Sequence, residues 1–376
     1  MEIDRLALDL ILQKLQPNKV IVLLGARRVG KTELIKKLVE QLNEKVLFLN
    51  GDDIESHSLL EIQSTANFKR LLGDTKFLII DEAQEIPAIG KKLKLMVDTI
   101  QDLKILVTGS SAFEINNQLG EPLVGRMKTI NLYPIAQMEY AKNENLLQTR
   151  SNLEDRLILG SYPELSHITN REEKISYLKE LVNTQLLRDI FAFEGIKKRD
   201  KIIALLQIIA FRTGSELSLE SVGRDLQISK NTVEKYLDLF SKVFIIYSVS
   251  GFSRNRDNEI TKMKKWYFVD NGIRNAIINT FNPLNSREDV GKLWENYLNS
   301  ERMKKMSYTQ NFVYDYFWRT HTKQEIDRIE EKNEQLAAFE YKYGKAKAKI
   351  PTEFAKSYPE ATFEIINQDN YLDYIL

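Results

Sequence analysis

A glycine loop, a pair of adjacent acids and a scattered set of carboxylates are the parts of this sequence whose types and spacing could do chemistry. In GARRVGKTEL (25–34), directly behind the apolar run VIVLLG, the spacing Gly25-x-x-x-x-Gly30-Lys31-Thr32 fits a phosphate-binding loop. The two glycines let the backbone curl, so that N–H groups from Gly25, Ala26, Arg27, Arg28, Val29, Gly30, Lys31, Thr32 and Glu33 can line an anion site. Lys31 would reach the β and γ phosphates of a nucleotide, and the Thr32 hydroxyl would ligate a magnesium ion. Further on, the apolar run of KFLIIDEAQEI ends in Asp81, suited to hold that magnesium through water. Glu82 follows and would orient or deprotonate the attacking water. Alone, such a pair is an acidic turn that caps a helix; behind a phosphate loop the chemical role is favoured. The next apolar run, ILVTGSS, ends in hydroxyls: Ser110 is the expected polar sensor of the terminal phosphate, with Thr108 the alternative. Arg126, in GEPLVGRMKTI, could bring a guanidinium to the γ phosphate in cis or from a neighbouring subunit. Otherwise it is solvated or paired with a carboxylate, as most loop arginines are.

Other charged residues fall in the second half. Glu295 lies on the helix-like GKLWENYL, Asp327 in QEIDRIEE, and Glu340-x-Lys342 in AAFEYKY. Residues two apart on a strand face the same way, so Glu340 and Lys342 would share a site. Two or three carboxylates can bind magnesium, which activates water, while a lysine offsets charge on a scissile phosphate. The alternative is a solvated acidic sheet face, or a scaffold that has lost its chemistry. The histidines, His57, His167 and His321, are far apart without ligand-like spacing and predict no zinc site.

The elements that must carry these residues are legible as periodicities. Short apolar runs, VIVLLG (20–25), KVLFLN (45–50), KFLIID (76–81), KILVTGS (104–110) and KTINL (128–132), alternate with helical spacing such as Leu34, Ile35, Leu38, Val39 and Leu42. That alternation predicts an α/β fold with a parallel sheet and helices on both faces, the loop of Gly25 opening a helix N-terminus toward the anion. Residues 136–198 read as helical. Residues 199–270 read as three helices and two strands, a winged helix in which TVEKYLDLFSKVF takes the place of a recognition helix. Lys230, Lys235, Arg254, Arg256, Lys262, Lys264 and Lys265 lie near its expected contact face, with Arg254 and Arg256 at the wing tip. Glu234, Asp238, Asp257 and Glu259 dilute that patch, and packing or partner recruitment is the competing role. A helix and four strands complete an α/β domain over 271–376. The predicted order is therefore a phosphate-loop core (1–135), a helical lid (136–198), the winged helix and the last α/β domain.

Composition narrows the class. With 376 residues, 43% apolar, 28% charged and a net charge of +1, the chain is globular and multidomain, and any nucleic-acid surface must be a local patch. The absence of cysteine excludes disulfides and thiolate metal sites and fits a cytoplasmic protein. The N-terminal MEIDRLALDLILQKLQ reads as an amphipathic helix rather than a signal peptide, and no apolar run is long enough for a membrane.

GARRVGKTEL, FLIIDEAQEI, VTGSSAFEI, LVGRMKTINLYPIAQMEY, GSYPEL, QLLRDI and GKLWENYL occur in this order, and over nearly its whole length the chain resembles a family of prokaryotic AAA-type ATPases. In that family the C-terminal half is a domain of unknown function that looks like a winged helix followed by a restriction-endonuclease-like fold. The resemblance implies ATP binding, ATP hydrolysis and a connection to DNA. It also implies a PD-(D/E)xK pattern at Asp327, Glu340 and Lys342, with Glu295 as the helical acid. Arg328 departs from that pattern, since an apolar strand residue is usual after the aspartate.

Overall fold

The computed structural model describes residues 3–42, 44–110, 119, 123–192, 198–253, 264–320, 322–344 and 348–376. The chain divides into two compact units, one of Asp4–Tyr133 with Lys242–Phe244, the other of Met1–Ile3, Pro134–Ser241 and Ile245–Leu376.

In the first unit, helix α1 (Leu6–Lys14) leads into β1 (Lys19–Leu24), α2 (Lys31–Gln41), β2 (Val46–Asn50), α3 (Ile54–Glu61), α4 (Thr65–Leu72), β3 (Phe77–Asp81), α5 (Ile89–Thr99), β4 (Lys104–Gly109) and β5 (Met127–Asn131). The strands form one sheet in the order β2-β3-β4-β1-β5, and every neighbouring pair is parallel. This is the α/β core expected from the alternating runs. β1 and β3 are buried almost throughout because helices cover both faces, so they read as unbroken apolar runs rather than as alternation. Val20, Val22, Leu24, Leu78, Ile80, Ile105 and Val107 form one core with Leu93, Met96 and Val97 of α5. Because β4 lies between β1 and β3, three strand ends deliver the loop, the acid pair and the hydroxyls to one edge of the sheet.

The second unit opens with helices. These are α6 (Gln137–Tyr140), α7 (Leu146–Ser151), α8 (Leu153–Leu159), α9 (Arg171–Glu180), a π-helical turn (Leu181–Leu186) and α10 (Leu187–Ala192). Gly160 of the GSYPEL motif has φ +75°, and a Cβ there would overlap the Asp270 carboxylate, which accepts from the Ser161 N–H at 2.7 Å. Three helices follow, α11 (Arg199–Phe211), α12 (Leu219–Leu226) and α13 (Lys230–Lys242), with Ser218 capping α12 through its side chain. Then come β6 (Ile246–Gly251), β7 (Lys264–Phe268), α14 (Asn271–Ile277), α15 (Val290–Thr309), β8 (Tyr314–Arg319), β9 (Glu325–Lys332), β10 (Gln335–Tyr341), α16 (Thr352–Ser357), β11 (Thr362–Ile366) and α17 (Tyr371–Ile375).

The two strands expected as a wing, β6 and β7, are not a separate hairpin. They belong to a six-stranded sheet ordered β11-β10-β9-β8-β6-β7. β6 pairs with β8 in parallel at Ser250↔Tyr316 and Gly251↔Phe317, and the Phe252 N–H adds a bond to the Phe317 carbonyl at 2.7 Å. The expected division at residue 270 therefore runs through a continuous sheet. Periodicity locates strands but not their partners, which is why this join is invisible in sequence.

Candidate functional site

The nucleotide loop is built by close backbone approaches. At the end of β1 a Cβ on Gly25 would lie 2.3 Å from the Leu132 carbonyl oxygen, so a side chain has no room. Gly30, the N-cap of α2, has φ +93°, which only glycine adopts without cost. Ala26 and Val29 are buried, Arg27 is half-buried, Arg28 is exposed, and Glu33 is an exposed partner of Lys36 at 2.7 Å. The loop's N–H groups and the N-terminus of α2 supply the positive potential a phosphate needs. The buried Lys31 Nζ donates to the carbonyls of Gly25 (2.9 Å) and Ala26 (3.2 Å) and lies 3.8 Å from Glu82.

The acids converge on this loop. Thr32 Oγ1 donates to Asp81 Oδ2 at 2.8 Å, so a hydroxyl and a carboxylate from different elements meet at one point. These residues fit a magnesium ion: Thr32 would hold it directly and Asp81 through water. When bound, the ion neutralises charge on the β and γ phosphate oxygens. Glu82 sits in the left-handed region (φ 47°, ψ 49°), and its Oε2 accepts from Gln84 Nε2 at 2.6 Å. Gly51, just past β2, makes room for it: a Cβ there would lie 2.1 Å from the Glu82 carbonyl oxygen.

Of the two candidate sensor hydroxyls, that of Thr108 touches the acids. It donates to Asp81 Oδ1 and accepts from the Glu82 N–H at 3.0 Å. Ser110 is also buried, at the end of β4, but no hydrogen bond joins it to either acid among the described residues. Arg126 donates from Nε to Asp98 at 2.6 Å, a pair whose side chains are 40% and 34% exposed. A residue without any motif also bears on the loop. Arg5, buried ahead of α1, donates to the carbonyls of Val29 (2.8 Å) and Tyr133 (2.5 Å) and so ties the phosphate loop to the end of β5. No sequence signal marks it, because an arginine before an amphipathic helix is ordinary.

In the second unit the four residues of the acidic pattern come together. The register Phe339↔Arg328 carries Asp327 to the level of Glu340, and Asp327 accepts from the Tyr341 N–H at 2.8 Å. Lys342 donates to Glu340 at 2.6 Å. Glu295 on α15 reaches the same place, where its field and that of Glu340 add to burial in raising the Asp327 pKa well above the usual carboxylate range. Arg328 does not disturb this register. Alternation points it the other way, where it is buried among Glu330 (2.9 Å), Asp315 (3.4 Å) and Asn299 (3.1 Å). Yet a fifth residue stands among the acids. Lys265 of β7 is only 1% exposed, lies 3.4 Å from Glu295, and forms an ion pair with Glu325. It therefore leaves the set of basic residues near a DNA-contact face: on β7, Lys264 is exposed and Lys265 turns inward. With that ammonium in place the cluster does not fit a divalent ion. Among the described residues, no three carboxylate, histidine or cysteine side chains are arranged to hold a metal.

Of the other expected DNA contacts, Lys230 pairs with Glu220 at 2.7 Å, Lys235 is exposed, and Arg254 and Arg256 lie outside the described residues, as do Lys262 and His321. Among the described residues no helix is long and apolar enough to cross a membrane.

Comparison with known proteins bears on the domains of the chain. Residues 17–141 match the model of an AAA domain, 150–284 a domain of unknown function (DUF8612) and 290–371 another (DUF4143). An uncharacterized protein of Methanocaldococcus jannaschii is 25% identical over 276 residues, covering 68% of this chain and 62% of that protein. One of Haemophilus influenzae is 24% identical over 394 residues, covering 97% of this chain and 90% of that protein. The chain thus spans less than two thirds of the archaeal relative and most of the bacterial one. Among solved structures, a Pif1 helicase from Bacteroides in complex with ADP-AlF3 and ssDNA is 15% identical, with a TM-score of 0.27 over 49% of this chain and 51% of that one, a likeness too slight to bear on function. The chain carries an AAA-type P-loop ATPase domain, followed by domains to which no function is attached.

Proposed function

We propose that this protein is a magnesium-dependent ATPase in which binding and hydrolysis of ATP drive a switch or motor acting on DNA or on a protein partner held by the second unit. The observation that carries the reading is the convergence of Thr32, Asp81, Thr108 and Glu82 behind a phosphate loop. In this scheme Lys31 and the loop N–H groups hold the phosphates, Thr32 and Asp81 hold the metal, and Glu82 takes the proton of the attacking water. Arg126, presented on the surface, is proposed as a charge donor to the γ phosphate, in cis or from a neighbouring subunit. The three helices α11–α13 with Lys230, Lys235, Arg254 and Arg256 are the proposed DNA-contact region. A second reading, an ATP-gated nuclease using Glu295, Asp327, Glu340 and Lys342, has the meeting of those four residues in its favour and the position of Lys265 against it.

ATP turnover measured with and without single-stranded, duplex and branched DNA tests the scheme. Lys31→Ala should lose most ATP affinity, because a charge-assisted phosphate contact disappears. Glu82→Gln should bind ATP and hydrolyse it slowly, because only water activation is lost. Unchanged turnover in Glu82→Gln would remove Glu82 from the mechanism, and indifference to every DNA would favour the protein partner.

A further inference from the structure

We propose that Lys265 is the resident cation of the acidic cluster in the second unit, so that the cluster is closed by an internal ammonium and takes up no divalent metal. The inference does not depend on ATP hydrolysis by the first unit.

Consider what each carboxylate already does. Glu295 Oε1 accepts from the Tyr267 hydroxyl at 2.6 Å and faces Lys265 Nζ at 3.4 Å. Its other oxygen lies against Gly214, where a Cβ would come within 2.8 Å. One oxygen of Glu325 pairs with the same ammonium, and the second lies 3.7 Å from Arg319. Asp327 spends one oxygen on the Tyr341 N–H, and Glu340 spends one on Lys342. The acids are thus committed to fixed donors, and the charge at their centre is a lysine.

That lysine is not a mobile surface group. It comes from β7, beside the Glu216–Lys265 backbone bridge, and its ammonium lies 5.1 Å from the centre of the Phe317 ring. Burial would lower its pKa, but the fields of Glu295, Glu325 and Asp327 outweigh it and hold it well above the usual lysine range. A charged ammonium therefore stays in place at neutral pH. A divalent ion bound by Glu295 and Asp327 would have to sit beside it, with like charges in a poorly solvated site. A lysine that positions a scissile phosphate, the role expected of Lys342, acts next to a metal; Lys265 instead stands where carboxylates would need one.

The test is Mn2+ uptake by the full chain, free of nucleotide, followed by the loss of the free-ion EPR signal. Wild type and Asp327→Asn should take up the same amount, because any ion at Thr32 and Asp81 is common to both. Lys265→Gln should take up one further equivalent, and Lys265→Gln/Asp327→Asn should lose it again. The proposal is overturned if Asp327→Asn binds one equivalent less than wild type. It is also overturned if folded Lys265→Gln, checked by circular dichroism, gains nothing. Since Lys265→Gln leaves buried acids unpaired and could fail to fold, the comparison of wild type with Asp327→Asn decides by itself. DNA cleavage by wild type that Asp327→Asn abolishes would likewise refute the idea. ATP turnover should be the same in every one of these variants.

Discussion

Thr108 offers the sharpest test of how the nucleotide site is held together. Thr108→Val keeps shape and volume and removes one hydroxyl, which donates to Asp81 and accepts from the Glu82 N–H. The first bond is to a charged group and is worth about 1.5–3 kcal/mol; the second is neutral and worth about 0.5–1.5 kcal/mol. The Asp81 end is buried and the Glu82 end half-buried, so neither regains a full water partner. The fold should lose roughly 2–4 kcal/mol, close to the sum, read as a lower midpoint in urea. Catalysis should suffer for a separate reason. Glu82 holds a left-handed backbone that costs roughly 1–2 kcal/mol, and the bond to Thr108 helps to keep it there. Releasing that restraint should cost a similar amount in the transition state, which is roughly a 5- to 30-fold fall in kcat. Affinity for ATP should change little, because Lys31 and the loop N–H groups are untouched. Thr108→Ser should recover most of the loss. Phosphate release at saturating ATP, with a fluorescent-nucleotide titration beside it, separates the two effects. If Thr108→Val turns over within about twofold of wild type, or if Ser110→Ala is the more damaged variant, the geometry has been misread.

Two further outcomes are expected. Mixtures of Arg126→Ala and Lys31→Ala chains should regain activity at mixed interfaces; equal inactivity, with assembly verified by light scattering, returns Arg126 to its surface pair with Asp98. Arg254→Ala/Arg256→Ala should weaken duplex binding across unrelated sequences and flatten its dependence on salt by roughly 1–2 in slope, as fewer counterions are released. Identical salt slopes in the two proteins would leave α11–α13 with a packing role.

Much of the first unit was legible because its signals are local. Five apolar runs became five strands, and a glycine spacing became a loop, since one stretch of chain contains the whole instruction. The choice between Thr108 and Ser110 was not local. They lie two residues apart, on β4 and just past its end, and only the register Ile80↔Val107 decides that Thr108 is level with Asp81. Lys265 is a similar case. In KMKKWYFVD it looks like one of several basic residues on a strand, and nothing nearby tells which lysine turns inward. Its burial is set by β6 pairing with β8, far away in sequence, which brings β7 into the sheet of β8–β11. Arg5 was missed because its partners are backbone carbonyls, which have no residue type to recognise.

The shared sheet of the second unit has a practical side for anyone who would study its parts. A fragment beginning at residue 271 would lack β6 and β7, leaving β8 as a bare edge with unmatched N–H and C=O groups, a surface that invites other chains to pair. Glu295 and Glu325 would at the same time lose the ammonium of Lys265. A fragment ending at 270 would carry the opposite defect, with β6 stripped of its neighbour and Lys265 stripped of its acids. Cutting the chain there would yield two pieces prone to aggregate, whereas a piece starting near Pro134 keeps every strand of the sheet and both sides of each ion pair.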